Sequence, residues 1–293
     1  MSAHPSIGFI GFGAMAQRMG ANLREAGYMV SAYAEHQQDG ERHGTPMESL
    51  ATLLPQAEAV IVSLPSDATL EQVLLGPDGV LARLESGRLL INTSTNSPAL
   101  SLRLEAAGRA RGIAVVEAPV SGSTPEAEKA QLVVLAAGEP EAVERARPIL
   151  EVLGKTVHHV GPTGQGAAIK LAINGLMGAG LAALAEALAY ATRAGLDAEV
   201  LFEVFGDLAV LSPHHQRKLA ALRDGDFAPQ FPAALMHKDM GLLLAELNAT
   251  FQGAPTLAAA AQQLALGAEL HPDADYLITA DILLEEAEDA ATR

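Results

Sequence analysis

The sequence of 293 residues contains no cysteine and no tryptophan. Without cysteine the chain cannot form disulfides, thiolate metal sites or a thiol nucleophile, and this absence fits a reducing compartment. Basic residues are also few, with 19 Lys and Arg against 35 Asp and Glu and a formal net charge of −16. No run of Lys and Arg is longer than a pair, which argues against nucleic acid or an anionic membrane as a partner. A small anionic ligand is still compatible with this charge, because a few local cations or amides suffice to bind it.

Long uninterrupted apolar runs are also scarce. The segment Met1–Ser6 has no basic region, and three glycines interrupt the apolar run Ile7–Met15, which therefore predicts a strand and turn rather than a signal peptide. The segment Leu171–Tyr190 has about the ~20 residues that can span a bilayer. It contains Asn174 and Glu186, so we interpret it as a long buried helix. We expect a soluble, cytoplasmic protein.

Hydrophobic residues make up 49% of the chain and charged residues 18%, which excludes intrinsic disorder. Short β-branched runs predict strands at Ile7–Ile10, Met29–Tyr33, Ala59–Ser63, Leu89–Asn92, Ala114–Glu117 and Gln131–Ala136. Between them, amphipathic patterns predict helices at Ala14–Ala26, Ser66–Val73 and Pro98–Arg111. Strands that alternate with such helices are typical of a doubly wound parallel sheet.

The β-branched runs stop before Gly166, and Ala- and Leu-rich helical patterns fill the remainder. A Gly- and Pro-containing stretch, Gly161–Gly164, separates the two regions. The predicted fold is therefore α/β, with a Rossmann-type domain over residues 1–163 and an all-α domain over residues 164–293.

The segment Gly11–Ala16 follows the first predicted strand and precedes a helix, the setting of the G-x-G-x-x-G/A dinucleotide fingerprint. Gly11 permits the tight turn, Gly13 lets a pyrophosphate approach the backbone, and Ala16 permits close packing of helix and strand. A strand-turn-helix without a ligand is the alternative. After the second strand, Glu35 is placed to bind the ribose hydroxyls of NAD and would repel the 2′-phosphate of NADP, or it is a solvated surface residue.

Lys170 and Asn174 are four residues apart and share one face of a predicted apolar helix. A poorly solvated lysine has a lowered pKa and can exchange a proton near neutral pH. The alternative is that Lys170 extends to solvent at the start of the helix. Ser121, Gly122 and Ser123 follow another strand, where hydroxyls and amides could hold a carboxylate or simply cap a helix. We find no spacing of ligands that indicates a metal site.

Together these segments resemble the β-hydroxyacid dehydrogenase family, which includes 3-hydroxyisobutyrate dehydrogenase. The resemblance covers nearly the whole chain and rests on ordered motifs: the fingerprint from Gly11, Asn22-Leu23, Leu64-Pro65, Ser94-Thr95 with Pro98, Ala118–Gly122, the pattern 161–174, and Lys238-Asp239. The Ser121–Ser123 segment and the following residues 131–138 look most like the glyoxylate and succinic semialdehyde reductase branch.

This resemblance implies a Rossmann domain, a helical domain, and an interdomain helix that starts near Lys170. It assigns Lys170 as the acid/base and Asn174 as its hydrogen-bonding neighbour, and it assigns Ser121, Gly122 and Ser123 to the substrate carboxylate. The cofactor contacts it implies, together with those of the fingerprint, are Gly11, Phe12, Gly13, Ala14, Met15, Ala16, Glu35, Leu64, Pro65, Thr69, Thr95 and Lys238. Ala16 and the pair Ala34-Glu35 depart from the pattern common in relatives, and the second departure weakens any preference for NADPH.

The predicted activity is hydride transfer between NAD or NADP and a small aldehyde acid, such as glyoxylate or succinic or tartronate semialdehyde. Glu35 favours NAD. A 3-hydroxyisobutyrate-type dehydrogenase, an imine reductase and a non-catalytic dinucleotide sensor are the alternatives. A 6-phosphogluconate dehydrogenase would need a larger helical domain. Since family members associate through the helical domain, we expect a homodimer or homotetramer.

Overall fold

The computed structural model describes residues 4–37, 40–250 and 253–291. The chain divides into two compact units, one up to Lys170 and one from Leu171. The fold class is the one predicted, an α/β unit with a Rossmann-like sheet followed by an all-helical unit. The division lies inside a helix, several residues after the boundary that the sequence predicts.

The first unit is built on an eight-stranded sheet and a separate two-stranded hairpin. Its strands are β1 (Ile7–Ile10), β2 (Val30–Tyr33), β3 (Glu41–Arg42), β4 (Thr45–Pro46), β5 (Ala59–Val62), β6 (Leu89–Asn92), β7 (Ala114–Glu117), β8 (Val120–Ser121), β9 (Leu132–Ala137) and β10 (Gly154–Gly161). The strands β3 and β4 form the hairpin, and the main sheet has the order β10-β9-β7-β6-β5-β1-β2, with β8 paired to β9. The predicted strands therefore form within a residue or so of their predicted ends.

One predicted strand, β9, runs against the predicted direction. The strands β2, β1, β5, β6 and β7 are parallel, whereas β9 pairs antiparallel with β7 and β8, and β10 is parallel to β9. The connection 122–131 between β8 and β9 is too short for a crossover, which needs a dozen or more residues. An antiparallel return is therefore the only pairing that this connection permits. The strand β10 was not predicted at all.

Helices cover both faces of the sheet. The helices of this unit are α1 (Ala14–Glu25), α2 (Leu50–Gln56), α3 (Asp67–Leu70), α4 (Val80–Arg83), α5 (Pro98–Arg109), α6 (Thr124–Glu128) and α7 (Pro140–Leu153). Along β5, Ala59 and Ile61 belong to one buried apolar cluster and Val60 and Val62 to another. This alternation is the period of a strand that is buried on both faces.

The predicted helix at Ser66–Val73 is divided in the structure. Ser66 caps α3, which continues into a π-helical turn over Glu71–Leu75. π-Helical turns are rare and frequently lie at functional sites.

Over its described residues the second unit is helical, apart from an isolated bridge between Pro232 and Asp275. Helix α8 (Gln165–Arg193) begins in the first unit and continues into the second, and it starts five residues before Lys170. The remaining helices are α9 (Ala198–Asp207), α10 (Pro213–Arg223), α11 (Ala233–Thr250), α12 (Pro255–Leu270) and α13 (Ile278–Ala291). By length and composition α8 could cross a membrane, but 44% of its most apolar window is buried in the protein.

Candidate active site

The last residues of five parallel strands stand in register on one line. Tyr33 pairs with Ile10, Ile10 with Val62, Val62 with Asn92, and Asn92 with Glu117. The loops that leave these strands therefore start at one edge of the sheet. Ligands of open α/β sheets bind outside this carboxyl edge.

The loop after β1 is shaped for close approach of a ligand. Gly11 has φ +84°, and a Cβ atom there would overlap the carbonyl oxygen of Ser63. Gly13 has no heavy atom within 4 Å of the position that a Cβ would take. It is the N-cap of α1, and no side-chain cap bonds to this helix end in the described part of the chain. The N-terminus of a helix attracts phosphates, so the loop fits a dinucleotide pyrophosphate.

The rest of the fingerprint serves packing. Phe12 and Ala16 are buried in the core, Met15 packs partly against it, and Ala14 begins the helix. A dinucleotide would therefore contact the backbone of this loop rather than these side chains.

Glu35 lies on an exposed turn directly after β2. Gln37 N–H donates to the Ala34 carbonyl at 3.0 Å, which places Glu35 and His36 at the tip of this turn. Nearby in sequence, the β3–β4 hairpin is held by Arg24, which donates to the His43 carbonyl at 2.9 Å. The exposed position leaves Glu35 in reach of a ligand and of solvent alike.

The loops after β5 and β6 are tied together. Leu64 N–H donates to Ser94 Oγ at 2.9 Å, and Ser97 Oγ donates to Asp67 Oδ2 at 2.6 Å. Thr95 is half-buried between the buried residues Ser94 and Asn96. The loops that carry the predicted contacts therefore form one rigid rim.

The neighbours of that rim differ in exposure. Pro65 is exposed, whereas Leu64 and Thr69 are half-buried. Thr69 Oγ1 lies 2.9 Å from Ser66 Oγ at the start of α3. Thr69 therefore helps to cap this helix.

Ser121, Gly122 and Ser123 lead from β8 into α6. Gly122 has φ +122°, and Ser123 is the N-cap of α6 in a capping box with Glu126. The Ser123 N–H donates to Glu126 Oε2 at 2.8 Å. The backbone amide of Ser123 is thus occupied by the cap, which leaves Ser121 and Gly122 as the better carboxylate contacts.

Lys170 lies on α8, with 9% of its surface exposed. One turn earlier on the same face, Gly166 N–H donates to Glu117 Oε2 at 3.0 Å. Glu117 is itself buried, and burial raises its pKa, while hydrogen bonds from Ser101 and from the amides of the α8 N-terminus lower it. Sequence reasoning assigned Glu117 no role, although an acidic residue that ends an apolar strand is a usable signal.

In the second unit, Asn174 and Asp239 are buried and bonded to each other. Asn174 Nδ2 donates to Asp239 Oδ2 at 2.6 Å, and Lys238 Nζ lies 2.7 Å from Asp239 Oδ1. The structure therefore brings together two predicted residues, Asn174 and Lys238, through an aspartate to which the sequence assigned no role. The adjacent Lys238-Asp239 pair within an apolar helix was the signal for it.

A second buried ion pair lies elsewhere in this unit. Lys218 Nζ donates to Asp275 Oδ1 at 2.7 Å, and Asp275 also accepts from the backbone N–H groups of Gln230, Phe231 and Leu277. These bonds fasten the segment before α13 to α10 and to the start of α11. We interpret this cluster as structural.

Two known protein families match consecutive parts of this chain. Residues 6–161 match the NAD binding domain of 6-phosphogluconate dehydrogenase, and residues 164–282 match the NAD-binding region of NADP-dependent 3-hydroxyisobutyrate dehydrogenase.

Individual proteins resemble the chain over most of its length. The 2-(hydroxymethyl)glutarate dehydrogenase of Eubacterium barkeri is 35% identical over 81% of this chain and 81% of its own. Glyoxylate/succinic semialdehyde reductase 1 of Arabidopsis thaliana is 32% identical, over 87% of this chain and 89% of its own. The structure of Mycobacterium tuberculosis 3-hydroxyisobutyrate dehydrogenase with L-serine is 29% identical, with a TM-score of 0.82, over 95% of this chain and 99% of that one.

Proposed function

The chain belongs to the 3-hydroxyisobutyrate dehydrogenase-like family of β-hydroxyacid dehydrogenases, and from this we propose that its substrate is glyoxylate or succinic or tartronate semialdehyde. It is an NAD(P)-dependent enzyme that acts on a CH–OH group. The proposed reaction reduces the aldehyde acid to its hydroxy acid, and it is reversible. The relative from Arabidopsis thaliana, named for glyoxylate and succinic semialdehyde, supports this substrate class.

The observation that carries the mechanism is the buried Lys170 on a helix anchored at the carboxyl edge of the sheet. When bound, the nicotinamide ring supplies a hydride to the carbonyl carbon or accepts one from the alcohol carbon. Negative charge develops on the carbonyl oxygen as the hydride arrives. The Lys170 ammonium stabilises this charge and donates its proton to the oxygen, and neutral Lys170 takes the proton back in the oxidative direction.

The substrate carboxylate is assigned to the Ser121 hydroxyl and the amide of Gly122, with Ser123 holding the turn through its cap on α6. Asn174, one helical turn from Lys170, is the proposed hydrogen-bonding neighbour of that lysine. Its amide is oriented by Asp239, which accepts from Nδ2. This directs Asn174 Oδ1 away from that carboxylate.

For the cofactor we propose NAD. Glu35 follows β2, where an acidic side chain accepts hydrogen bonds from ribose hydroxyls and repels a 2′-phosphate. Gly11, Gly13 and Met15 are assigned to the pyrophosphate loop, and Leu64, Pro65, Thr69 and Thr95 to the path of the dinucleotide. Lys238 is a further proposed cofactor contact.

We also propose that the enzyme is a soluble, cytoplasmic homodimer or homotetramer. On α8, Leu176 and Tyr190 are 74% and 75% exposed. On α9, Val200 and Val204 are 49% and 50% exposed. These exposed apolar side chains support association through the helical unit.

The test is the absorbance of NADH and of NADPH with glyoxylate, succinic semialdehyde, tartronate semialdehyde and methylglyoxal. We expect oxidation of one cofactor with one of the three aldehyde acids. In Lys170→Ala, turnover should fall by about 10²–10⁴, because general acid–base catalysis contributes that factor, while NADH affinity is retained. Lys155→Ala, an exposed lysine on β10, is the matched control and should retain full turnover. Undiminished turnover in Lys170→Ala would overturn the assignment.

A further inference from the structure

Glu117 holds the start of the helix that carries Lys170. It is the last residue of β7, and only 3% of its surface is exposed. Its Oε2 accepts from the Gly166 N–H at 3.0 Å, and the amides of Gly164 and Ala167 lower the pKa of the same carboxyl group. The first N–H groups of a helix have no partner within the helix, and the buried Glu117 carboxyl group supplies an acceptor to one of them, that of Gly166.

Glu117 packs tightly against the first turn of α8. A Cβ atom at Gly166 would lie 2.8 Å from Glu117 Oε2 and 3.1 Å from the Leu135 carbonyl oxygen. Gly166 and Lys170 are four residues apart, so they share a face of the helix. With a rise of 1.5 Å per residue, Lys170 lies only about 6 Å farther along the helix axis. The position of the first turn therefore fixes the position of Lys170.

On its other side, Glu117 connects to the loop after β6. The Ser101 hydroxyl lowers the pKa of the Glu117 carboxyl group, and Ser101 Oγ accepts from Asn96 Nδ2 at 2.8 Å. Asn96 Oδ1 accepts from Asn92 Nδ2 at 2.8 Å, and Asn92 Oδ1 accepts from the Ser94 N–H at 3.1 Å. Buried hydrogen bonds thus run from Ser94, the residue before Thr95, to Ser101, whose hydroxyl lowers the pKa of the Glu117 carboxyl group.

We propose that Glu117 is a positioning residue, which fixes the α8 N-terminus, and with it Lys170, against the loop that carries Thr95. This role rests on the proposed function of Lys170 as acid/base. Glu117 itself touches neither substrate nor cofactor in this assignment. Its contribution is to keep Lys170, the proposed proton donor, at a fixed distance from the loop that carries Thr95.

The first test compares Glu117→Ala with Glu117→Gln. In Glu117→Ala the helix start loses its acceptor, and kcat should fall by about 10²-fold, since a displacement of 1 Å can cost that much. The affinity for NADH should change little, because the loop 11–16 is untouched. Glu117→Gln keeps the side-chain length and one acceptor oxygen. Its kcat should therefore be at least about ten-fold higher than that of Glu117→Ala.

Val116→Ala is the matched control for loss of stability. Val116 is fully buried in the apolar cluster on one face of the sheet and precedes Glu117 in the same strand. It should lower the melting temperature without lowering kcat. An equal loss of kcat in Val116→Ala, or near-normal kcat in Glu117→Ala, would refute the positioning role.

Hydrogen–deuterium exchange separates this inference from the proposed reaction. In Glu117→Ala the amides of Gly166 and Ala167 should exchange faster than in the unaltered protein, while Val116→Ala should leave them protected. Unchanged protection in Glu117→Ala refutes the anchoring contact whether or not the enzyme turns over. An unaltered enzyme that is inactive with every aldehyde refutes the proposed function alone.

Discussion

Asn174 donates from Nδ2 to the buried carboxylate of Asp239 at 2.6 Å. Both residues are almost fully buried, so neither can exchange this bond for one with water. A carboxylate only accepts, which fixes the amide so that Oδ1 points to the other side. The bond thus determines which atom Asn174 offers to its neighbours.

The first prediction follows from this bond. Asn174→Ala removes the hydrogen-bond donor of the buried Asp239 carboxylate, so the free energy of unfolding should fall by about 1–3 kcal/mol. Turnover should fall less than in Lys170→Ala, and the KM for the aldehyde should rise. Steady-state kinetics and urea unfolding measure both effects. Asn248→Ala, an exposed site on α11, is the control and should change neither quantity. A kcat loss as large as that of Lys170→Ala would contradict the secondary role of Asn174.

Gly13 permits a test of the dinucleotide loop that leaves the fold intact. The space around its Cβ position is open, so Gly13→Ala should alter the free energy of unfolding by no more than about 1 kcal/mol. A methyl group there would meet the pyrophosphate, and we expect the Kd for NADH to rise at least ten-fold, which is about 1.4 kcal/mol.

Gly11→Ala provides the contrast. Its backbone has φ +84°, and a Cβ atom would overlap Ser63, so this variant should lose stability as well as cofactor affinity. Calorimetric titration and thermal unfolding distinguish the two variants. Normal NADH affinity in Gly13→Ala would mean that the pyrophosphate does not approach this loop.

Cofactor preference is expected to depend on Glu35. Glu35→Arg replaces a carboxylate that repels a 2′-phosphate with a group that binds one, and a hydrogen bond to a charged group is worth about 1.5–3 kcal/mol. The ratio of kcat/KM for NADPH to that for NADH should therefore rise by about 10–100-fold. Glu25→Arg makes the same charge change at the exposed end of α1 and should leave the ratio unchanged. A ratio that does not respond to Glu35→Arg would mark Glu35 as a solvated surface residue.

Acid should destabilise the helical unit through His214. Its Nε2 lies 2.6 Å from the Tyr276 hydroxyl, and burial, followed by Lys218 and neighbouring cations, lowers its pKa from 6.5 to about 4. The unfolded chain binds the proton more readily than the folded one. The stability linked to neutral His214 is therefore complete above pH 6.5 and is lost as the pH falls toward 4.

Thermal unfolding over that pH range measures this loss. His214→Gln, which can still hydrogen-bond Tyr276, should show a shallower decrease in stability than the unaltered protein. His158→Gln, on the exposed face of β10, should keep the full decrease. Equal slopes in all three proteins would exclude His214 as the source.

The elements that the sequence predicts well are those set by local patterns. The strands from Ile7 to Glu117 have a plain apolar signal, and the fingerprint at Gly11 depends only on adjacent residues. The direction of β9 cannot be predicted from a local pattern, because the run Leu132–Ala137 is equally apolar in either orientation. The length of the connection that precedes it decides the matter. The strand β10 lies at the sheet edge with exposed His158 and His159, so it lacks the apolar alternation that marks a strand.

The same distinction separates the site residues. Lys170 and Asn174 stand out as polar residues within an apolar helix, and their roles remain predictions. Glu117 and Asp239 were assigned no role, because each acts through a partner far away in the chain. Glu117 meets Gly166 across 49 positions, and Asp239 meets Asn174 across 65. Only the folded chain reveals such partners.

The loop Pro162–Gly164 connects β10 to α8. A chimaera with a relative could be joined in this loop without interrupting a strand or a helix. The two family matches also meet there. Such a chimaera would take Glu117 from one parent and Gly166 from the other. Such a chimaera would therefore keep the contact only when one parent supplies an acid at the strand end and the other supplies a glycine at the helix start.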